Sequence, residues 1–242
     1  MTGYLRQTLT GAPLAAWTCL ASGLSSGAVF TLTPAFALGL GLDVGGVATL
    51  MASLILGGVA LQWPIGALSD RFGRRPLILL VGAASAVLAA AIAGFGAQVP
   101  MTALLVGVAV FGGFSFTFYP LAVSQANDTV GPGSDFVAVS AALLFLWGIG
   151  AALGPIAGGW AIAWLGASGL FYYIAALGLI TGLAAWAQGS DPAPVRQPYR
   201  TMTRTTAAIT DLDPRVHEAD QAIPAPDGAT DTNPPDTTLP SR

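Results

Sequence analysis

The chain has 242 residues, 54% of them hydrophobic and 9% charged, with a formal net charge of −3. A soluble domain carries about 25% charged residues, so there are too few charges here to cover a water-exposed globule, and the composition points to a membrane protein. All nine basic residues are Arg, and they form no stripe that could track phosphates, which argues against nucleic-acid binding.

The charges are also unevenly placed. None falls in 7–42, 44–69, 76–127 or 136–190. A helical span needs ~20 apolar residues. By length, the first two runs hold one span each and the last two hold two each. The predicted architecture is an all-α membrane protein with six transmembrane helices, over about 12–39, 44–68, 77–98, 100–125, 136–165 and 168–187, preceded by a short N-terminal segment, 1–11. Arg6 ahead of an apolar run is one feature of a secretory signal. This run is longer than a signal's apolar core, however, and five more spans follow it.

In the first span Thr18, Ser22, Ser25 and Ser26 share one helical face. Gly23 and Gly27 form a G-x-x-x-G pair that suits close helix approach. The hydroxyl stripe has two readings. The hydroxyls bond back to their own helix carbonyls, or the face lines a water-filled path, with Ser22 and Ser26 as contacts. In the second span Gln62 lies beside Trp63 and Pro64. It reads as an interfacial anchor, or as a polar group that needs a partner across a helix interface or along a path.

The densest charge of the membrane portion follows, in Gly66-Ala67-Leu68-Ser69-Asp70-Arg71-Phe72-Gly73-Arg74-Arg75-Pro76. Gly66 leaves room for another helix. Gly73 suits the positive-φ conformation that ends a helix, and Pro76 suits the first turn of the next. Asp70 at a helix C-terminus would face the negative end of the dipole. It therefore requires Arg71, Arg74, Arg75 or the N-terminus of another helix nearby. The plainer reading is a loop whose Arg residues only set topology.

The third span is almost entirely Ala, Val, Leu, Ile and Gly, which suits a lipid-facing position. In the fourth, Phe111, Phe114 and Phe118 share a face, as do Ser115 and Tyr119, and Pro120 should kink the helix. Phe111, Ser115, Phe118 and Tyr119 are candidates for a substrate path; ordinary packing is the alternative. The stretch 126–135 is turn chemistry, with Ser134 or Asp135 as a cap for the fifth span. That span carries Gly150, Gly154, Pro155, Gly158 and Gly159, a series suited to a kinked helix packed close to a neighbour. The sixth is apolar. From 189 to 242 the chain holds nine of its 17 Pro residues and no apolar periodicity, so a disordered tail is expected.

Cys19 is the only cysteine and His217, in the tail, the only histidine. No disulfide, metal set or nucleophile–base pair can be assembled in the membrane portion. The expectation is a protein that is not an enzyme and has no cofactor. Six spans place both ends on one side of the bilayer. Arg6, Arg71, Arg74, Arg75, Arg196, Arg200 and Arg204 then share that side, and the opposite loops carry no basic residue. By the positive-inside rule both termini are cytoplasmic.

The pattern G-x-L-S-D-R-x-G-R-R-P at 66–76 resembles the loop signature of the major facilitator superfamily, found between the second and third helices of each six-helix half. The glycine series of the fifth span resembles a motif of many facilitator antiporters, although Ala141 stands where the fuller motif has a further Gly. The stretches 119–128, 56–66 and 212–215 are similar to the C-terminal half of the YcaD-like branch of bacterial facilitators. The resemblance covers about residues 12–215. It implies one half of a facilitator bundle, built from two three-helix inverted repeats, in a bacterial inner membrane. It also implies solute movement by alternating access, with a small solute of unknown identity as substrate. The first and fourth spans would line the path, the second and fifth would meet the other half, and the third and sixth would face lipid. Gly66, Asp70, Arg71, Gly73, Arg74 and Arg75 would form a gating loop. The partners implied are the bilayer and either a missing N-terminal half or a second copy. No charge lies inside a predicted span. Since intramembrane carboxylates mark proton coupling, any coupling group would come from the other half. The alternative is a truncated or partner-binding six-helix module with no transport activity alone.

Overall fold

The computed structural model describes residues 11–129 and 136–188. The N-terminal segment, the proposed caps Ser134 and Asp135, and the tail with its Arg residues and 212–215 lie outside the described residues. Among the described residues seven helices are seen: α1 (Pro13–Gly39), α2 (Val44–Phe72), α3 (Arg74–Phe95), α4 (Met101–Ser115), α5 (Phe118–Thr129), α6 (Phe136–Leu165) and α7 (Gly169–Ala187). They make six segments long and apolar enough to cross a membrane, with α4 and α5 together forming the fourth.

Local chemistry explains most boundaries. Pro13 opens α1, where a missing N–H costs nothing. Asp43 caps α2 by accepting from the Gly46 N–H at 2.9 Å. The fourth span breaks at Phe116 and Thr117. Pro120 has no N–H for the Phe116 carbonyl, and its ring crowds that carbonyl. The Thr117 hydroxyl donates instead to the Phe114 carbonyl at 2.7 Å. Pro34, Pro64 and Pro155 lie inside unbroken helices.

The charged stretch differs from the expected loop. Helix α2 continues through Asp70 to Phe72 and α3 begins at Arg74, so the connection is Gly73 alone, with φ of +93°. Polarity removes these residues from the bilayer core but does not end the helices. A backbone conformation that only glycine adopts cheaply does.

The closest helix pairings are α1 with α6, α2 with α4, and α3 with α7. As spans these are first with fifth, second with fourth and third with sixth. Exchanging first with fourth, second with fifth and third with sixth returns the same set. That is the signature of two three-helix repeats related by a two-fold axis in the membrane plane. The glycines obey the same symmetry. Gly23 and Gly27 of α1 abut the α6 backbone at Trp147 and Ala151, while Gly150 and Gly154 of α6 abut α1 at Leu20 and Leu24. Gly57 of α2 abuts Ala109 of α4, and Gly112 of α4 abuts Leu54 of α2. Gly82 of α3 meets Gly178 and Gly182 of α7. Gly57 of the second span and Gly150 and Gly154 of the fifth are thus packed against helices of this same bundle. At the end remote from Gly73, Phe36, Phe111 and Phe171 pack edge-on, with centroids 4.6 and 5.6 Å from Phe171.

Candidate functional site

The turn at Gly73 puts two guanidinium groups side by side, and each reaches a different helix. Arg74 donates through Nη1 to Asp70 Oδ1 at 2.6 Å and to Ser69 Oγ at 2.9 Å, and through Nε to Asp128 Oδ2 at 3.0 Å. One side chain therefore ties the last turn of α2 to the last turn of α5. Arg75 donates through Nε to the Ala185 carbonyl at 2.5 Å and through Nη2 to the Trp186 carbonyl at 2.7 Å. These are terminal carbonyls of α7, so a cation sits at the negative end of that helix. Together Arg74 and Arg75 clasp three helix ends that lie far apart in sequence.

Ser69 is fully buried beneath this clasp, whereas Asp70 and Asp128 are largely exposed. An exposed ion pair contributes about 0.2–1 kcal/mol, so the arrangement fixes geometry more than it adds stability. Arg71 is exposed, and none of the described residues approaches the open side of Gly66 within 4 Å. Of the three arginines that the charge of Asp70 called for, Arg74 is the one that answers. Asp128 had been read only as part of a turn.

The substrate-path candidates do not gather on one surface. Ser22, Ser26, Phe111, Ser115 and Phe118 are buried between helices of the bundle. Ser25 and Ser115 share a hydrogen bond of 3.2 Å that joins α1 to α4. Phe118 packs with Leu14 and Leu121. Tyr119 is half-buried and lies edge-on to Trp147, with centroids 6.2 Å apart. Gln62 is exposed. The helix-packing residues divide similarly. Gly150, Gly154 and Gly158 face α1, Pro155 is half-buried, and the open side of Gly159 meets nothing within 4 Å.

Several polar contacts have no sequence signature because their acceptors are backbone carbonyls. Ser53 Oγ donates to the Leu105 carbonyl at 2.6 Å, which joins α2 to α4. Cys19 Sγ donates to the Leu143 carbonyl at 3.0 Å, which joins α1 to α6. Phe30, exposed on α1, stacks on Phe116 at the break between α4 and α5, with centroids 5.3 Å apart. Among the described residues no group of three or more His, Cys, Asp or Glu could hold a metal ion. Trp17 Nε1, Thr18 Oγ1 and Gln125 Oε1 are buried without a hydrogen-bond partner there.

Residues 15–217 match the family model of the Major Facilitator Superfamily. Among curated proteins, an uncharacterised MFS-type transporter of Enterobacter sp. strain 638 is 34% identical over 137 residues, 57% of this chain and 34% of the relative. The uncharacterised MFS-type transporter YcaD of Escherichia fergusonii matches with the same identity and coverage. YcaD of Escherichia coli strain K12/DH10B is 33% identical over the same length. The match spans about a third of the length of these relatives. No solved structure matches.

Proposed function

The chain belongs to the major facilitator superfamily, and from that premise we propose that it works as one six-helix half of a secondary transporter. It moves a small solute by alternating access against a second bundle, which is either a separate N-terminal half or a second copy. The transporter names of its relatives support the activity, and the symmetric packing of two three-helix units supports the half-bundle reading.

The observation that carries the need for a partner is the outer face of α2. It is the least buried of the six segments. Leu56, Val59 and Trp63 stand out from it, with Trp63 81% exposed, and Gln62 is exposed beside them. A Gln amide directed at lipid has no hydrogen-bond partner, and leaving it so is costly. Contact with a second bundle supplies one. In this reading Gln62 and Tyr119 border the path. Ser22, Ser26, Phe111, Ser115 and Phe118 shape it from behind, buried where α1 meets α4 and α5. The clasp of Asp70, Arg74 and Asp128 holds one end of the half rigid while the halves rock, with both termini cytoplasmic in a bacterial inner membrane.

The test is uptake of a panel of labelled small solutes by liposomes holding the full chain alone or with a candidate N-terminal half. Uptake that appears only with the second half, or only where the chain is a demonstrated dimer, is the expected result. Robust uptake by a demonstrated monomer refutes the requirement for a partner. The second reading, a six-helix module with no transport activity, is favoured only if neither combination moves any solute while both remain folded.

A further inference from the structure

Helix α2 carries a carboxamide where a bilayer offers it nothing. Gln62 is exposed, and its side chain takes part in no hydrogen bond among the described residues. It lies on an unbroken helix, eight positions before Asp70, which is about 12 Å along the axis. Asp70, paired with Arg74, marks the water-facing end of that helix. The headgroup layer takes up about 5–8 Å of this depth, so the amide lies within the hydrocarbon. Helical side chains lean toward the N-terminus of their own helix, which for α2 is the end remote from Gly73. Gln62 is therefore directed deeper and cannot reach back to the headgroups as a long Arg or Lys does. Its neighbours on the same side of α2 are Ile55, 42% exposed, Val59, 68% exposed, and Gly66. Gly66 follows one turn after Gln62, and its open side meets no described residue within 4 Å. Nine positions at 100° each put Arg71 about 180° round the helix from Gln62. The seam formed by Ile55, Val59, Gln62 and Gly66 is thus uncharged.

We propose that this seam joins two copies of the chain, with Gln62 hydrogen-bonded to the partner's Gln62. The proposal rests on the reading above that a second bundle covers α2, and it names that bundle. Two copies inserted in the same orientation pair about an axis along the membrane normal. Each residue beside that axis then meets its own counterpart at one depth. A carboxylate or a guanidinium would repel its counterpart there. A carboxamide is donor and acceptor at once, so it matches itself, with one N–H to C=O bond in each direction. Hydrogen bonds of this kind join helices within a bilayer, and small residues beside them let the backbones approach. Gly66 is that small residue. A different bundle would need its own polar group at this depth, whereas a second copy has one by symmetry. Lipid chains cover the same face but leave the amide unpaired, which is costly.

The experiment uses the full chain in liposomes of phosphatidylethanolamine and phosphatidylglycerol, labelled at its C-terminus with a donor or an acceptor dye. Association is read by energy transfer as lipid is added. The wild type should pair and should dissociate on dilution. Gln62→Leu should weaken the pair about three- to thirtyfold, the range for one hydrogen bond between membrane helices. Gln62→Asn should keep part of the affinity, and Gly66→Leu should lose about tenfold or more. Ala60→Leu, exposed on α2 but about 160° round from Gln62, should pair as the wild type does. In a Cys19→Ser chain, Val59→Cys should give a disulfide-linked dimer on oxidation with copper phenanthroline, and Ala60→Cys should not. Helical circular dichroism shows that each variant is folded. A wild type that is monomeric at every dilution overturns the proposal. So does a Gln62→Leu chain that pairs as tightly as the wild type, or an Ala60→Cys chain that cross-links as readily as Val59→Cys. A chain that stays monomeric alone yet binds a candidate N-terminal half overturns the second copy and leaves the half-transporter reading standing. A monomer that takes up solute alone overturns both.

Discussion

The contact between α1 and α6 gives the sharpest test of the packing, because two glycines of one helix differ only in what they face. A Cβ at Gly154 would lie within 3.0 Å of the Leu24 carbonyl, which is backbone of a buried helix and has no flexible end that can yield. A Cβ at Gly159, five residues on, would meet nothing within 4 Å. Gly→Ala raises helix propensity by about 0.8–1 kcal/mol at either site. Overpacking a tight contact costs about 1–3 kcal/mol, and a rigid neighbour puts Gly154 at the upper end. Gly154→Ala should therefore lose about 2 kcal/mol net, while Gly159→Ala gains up to about 1 kcal/mol. Their difference of about 3 kcal/mol removes the propensity effect common to both. For a domain of this size each kcal/mol moves the melting temperature by about 2–4 °C, so the variants should melt about 6–12 °C apart. The assay is thermal unfolding of the isolated chain in one detergent, followed by intrinsic Trp fluorescence. Melting temperatures within about 1 °C of each other would show that Gly154 does not face α1 as described. A gap that appears only after a second bundle is added would place the glycine series at an interface between halves instead.

Three further outcomes follow from the clasp, the hydroxyls and the charge pattern. A double-mutant cycle on Arg74→Gln and Asp128→Asn should give a coupling energy of about 0.2–1 kcal/mol that shrinks in high salt, since the pair is partly exposed; a salt-independent coupling contradicts the geometry. Ser53→Ala should cost about 0.6 kcal/mol, the mean for hydrogen bonds between membrane helices, measured as a shift in the unfolding midpoint, and Thr49→Ala, whose hydroxyl bonds within its own helix to Gly45, should cost less. Reporter fusions at Arg200 and beside Asp43 should report opposite sides of the membrane, with Arg200 cytoplasmic; the same side for both refutes the topology.

Much of the fold was legible because a bilayer permits so little. Charge-free runs of membrane length leave only helices, and the gaps between charges counted them correctly. Connectivity in space was less legible. The glycine series announced close approach but not the neighbour, since Gly57 and Gly150 lack a side chain whose chemistry would name a partner. The fourth span's proline announced a disturbance, and the break appears four residues earlier, at the carbonyl that the proline leaves unpaired. In the charged stretch, Asp70 announced its need for a cation, but its partner Arg74 lies across the Gly73 turn on the next helix, so helical spacing did not single it out from Arg71 and Arg75. Asp128 was harder to foresee, being 54 residues away. Its one available signal was position: it closes the fourth span, which ends on the same side of the bundle as the second. Arg75 had no signal at all, because its partners are carbonyls that every helix end presents.

If the chain works as the proposed half, the clasp bears on how it would move as a unit. The three closest pairings all run between the two repeats, so neither three-helix unit folds onto itself; each is completed by the other. Such a bundle resists internal shear, because sliding α6 along α1 would drive Gly150 and Gly154 off the α1 backbone at Leu20 and Leu24 that they abut. At one end, Gly73 joins α2 to α3 without slack, and its two following arginines bind α5 and α7. Helices from both repeats are thereby fixed at that end. A displacement imposed on the exposed face of α2 by the proposed partner bundle would therefore pass to α3, α5 and α7 together. This is the mechanical requirement for rocking about a central site, since a half that deformed locally would absorb the motion instead of transmitting it. On this argument, loosening the clasp by Arg74→Gln in a complete two-half assembly should lower the transport rate more than it lowers solute affinity. An unchanged rate with the half still folded would show that the glycine contacts alone provide the rigidity.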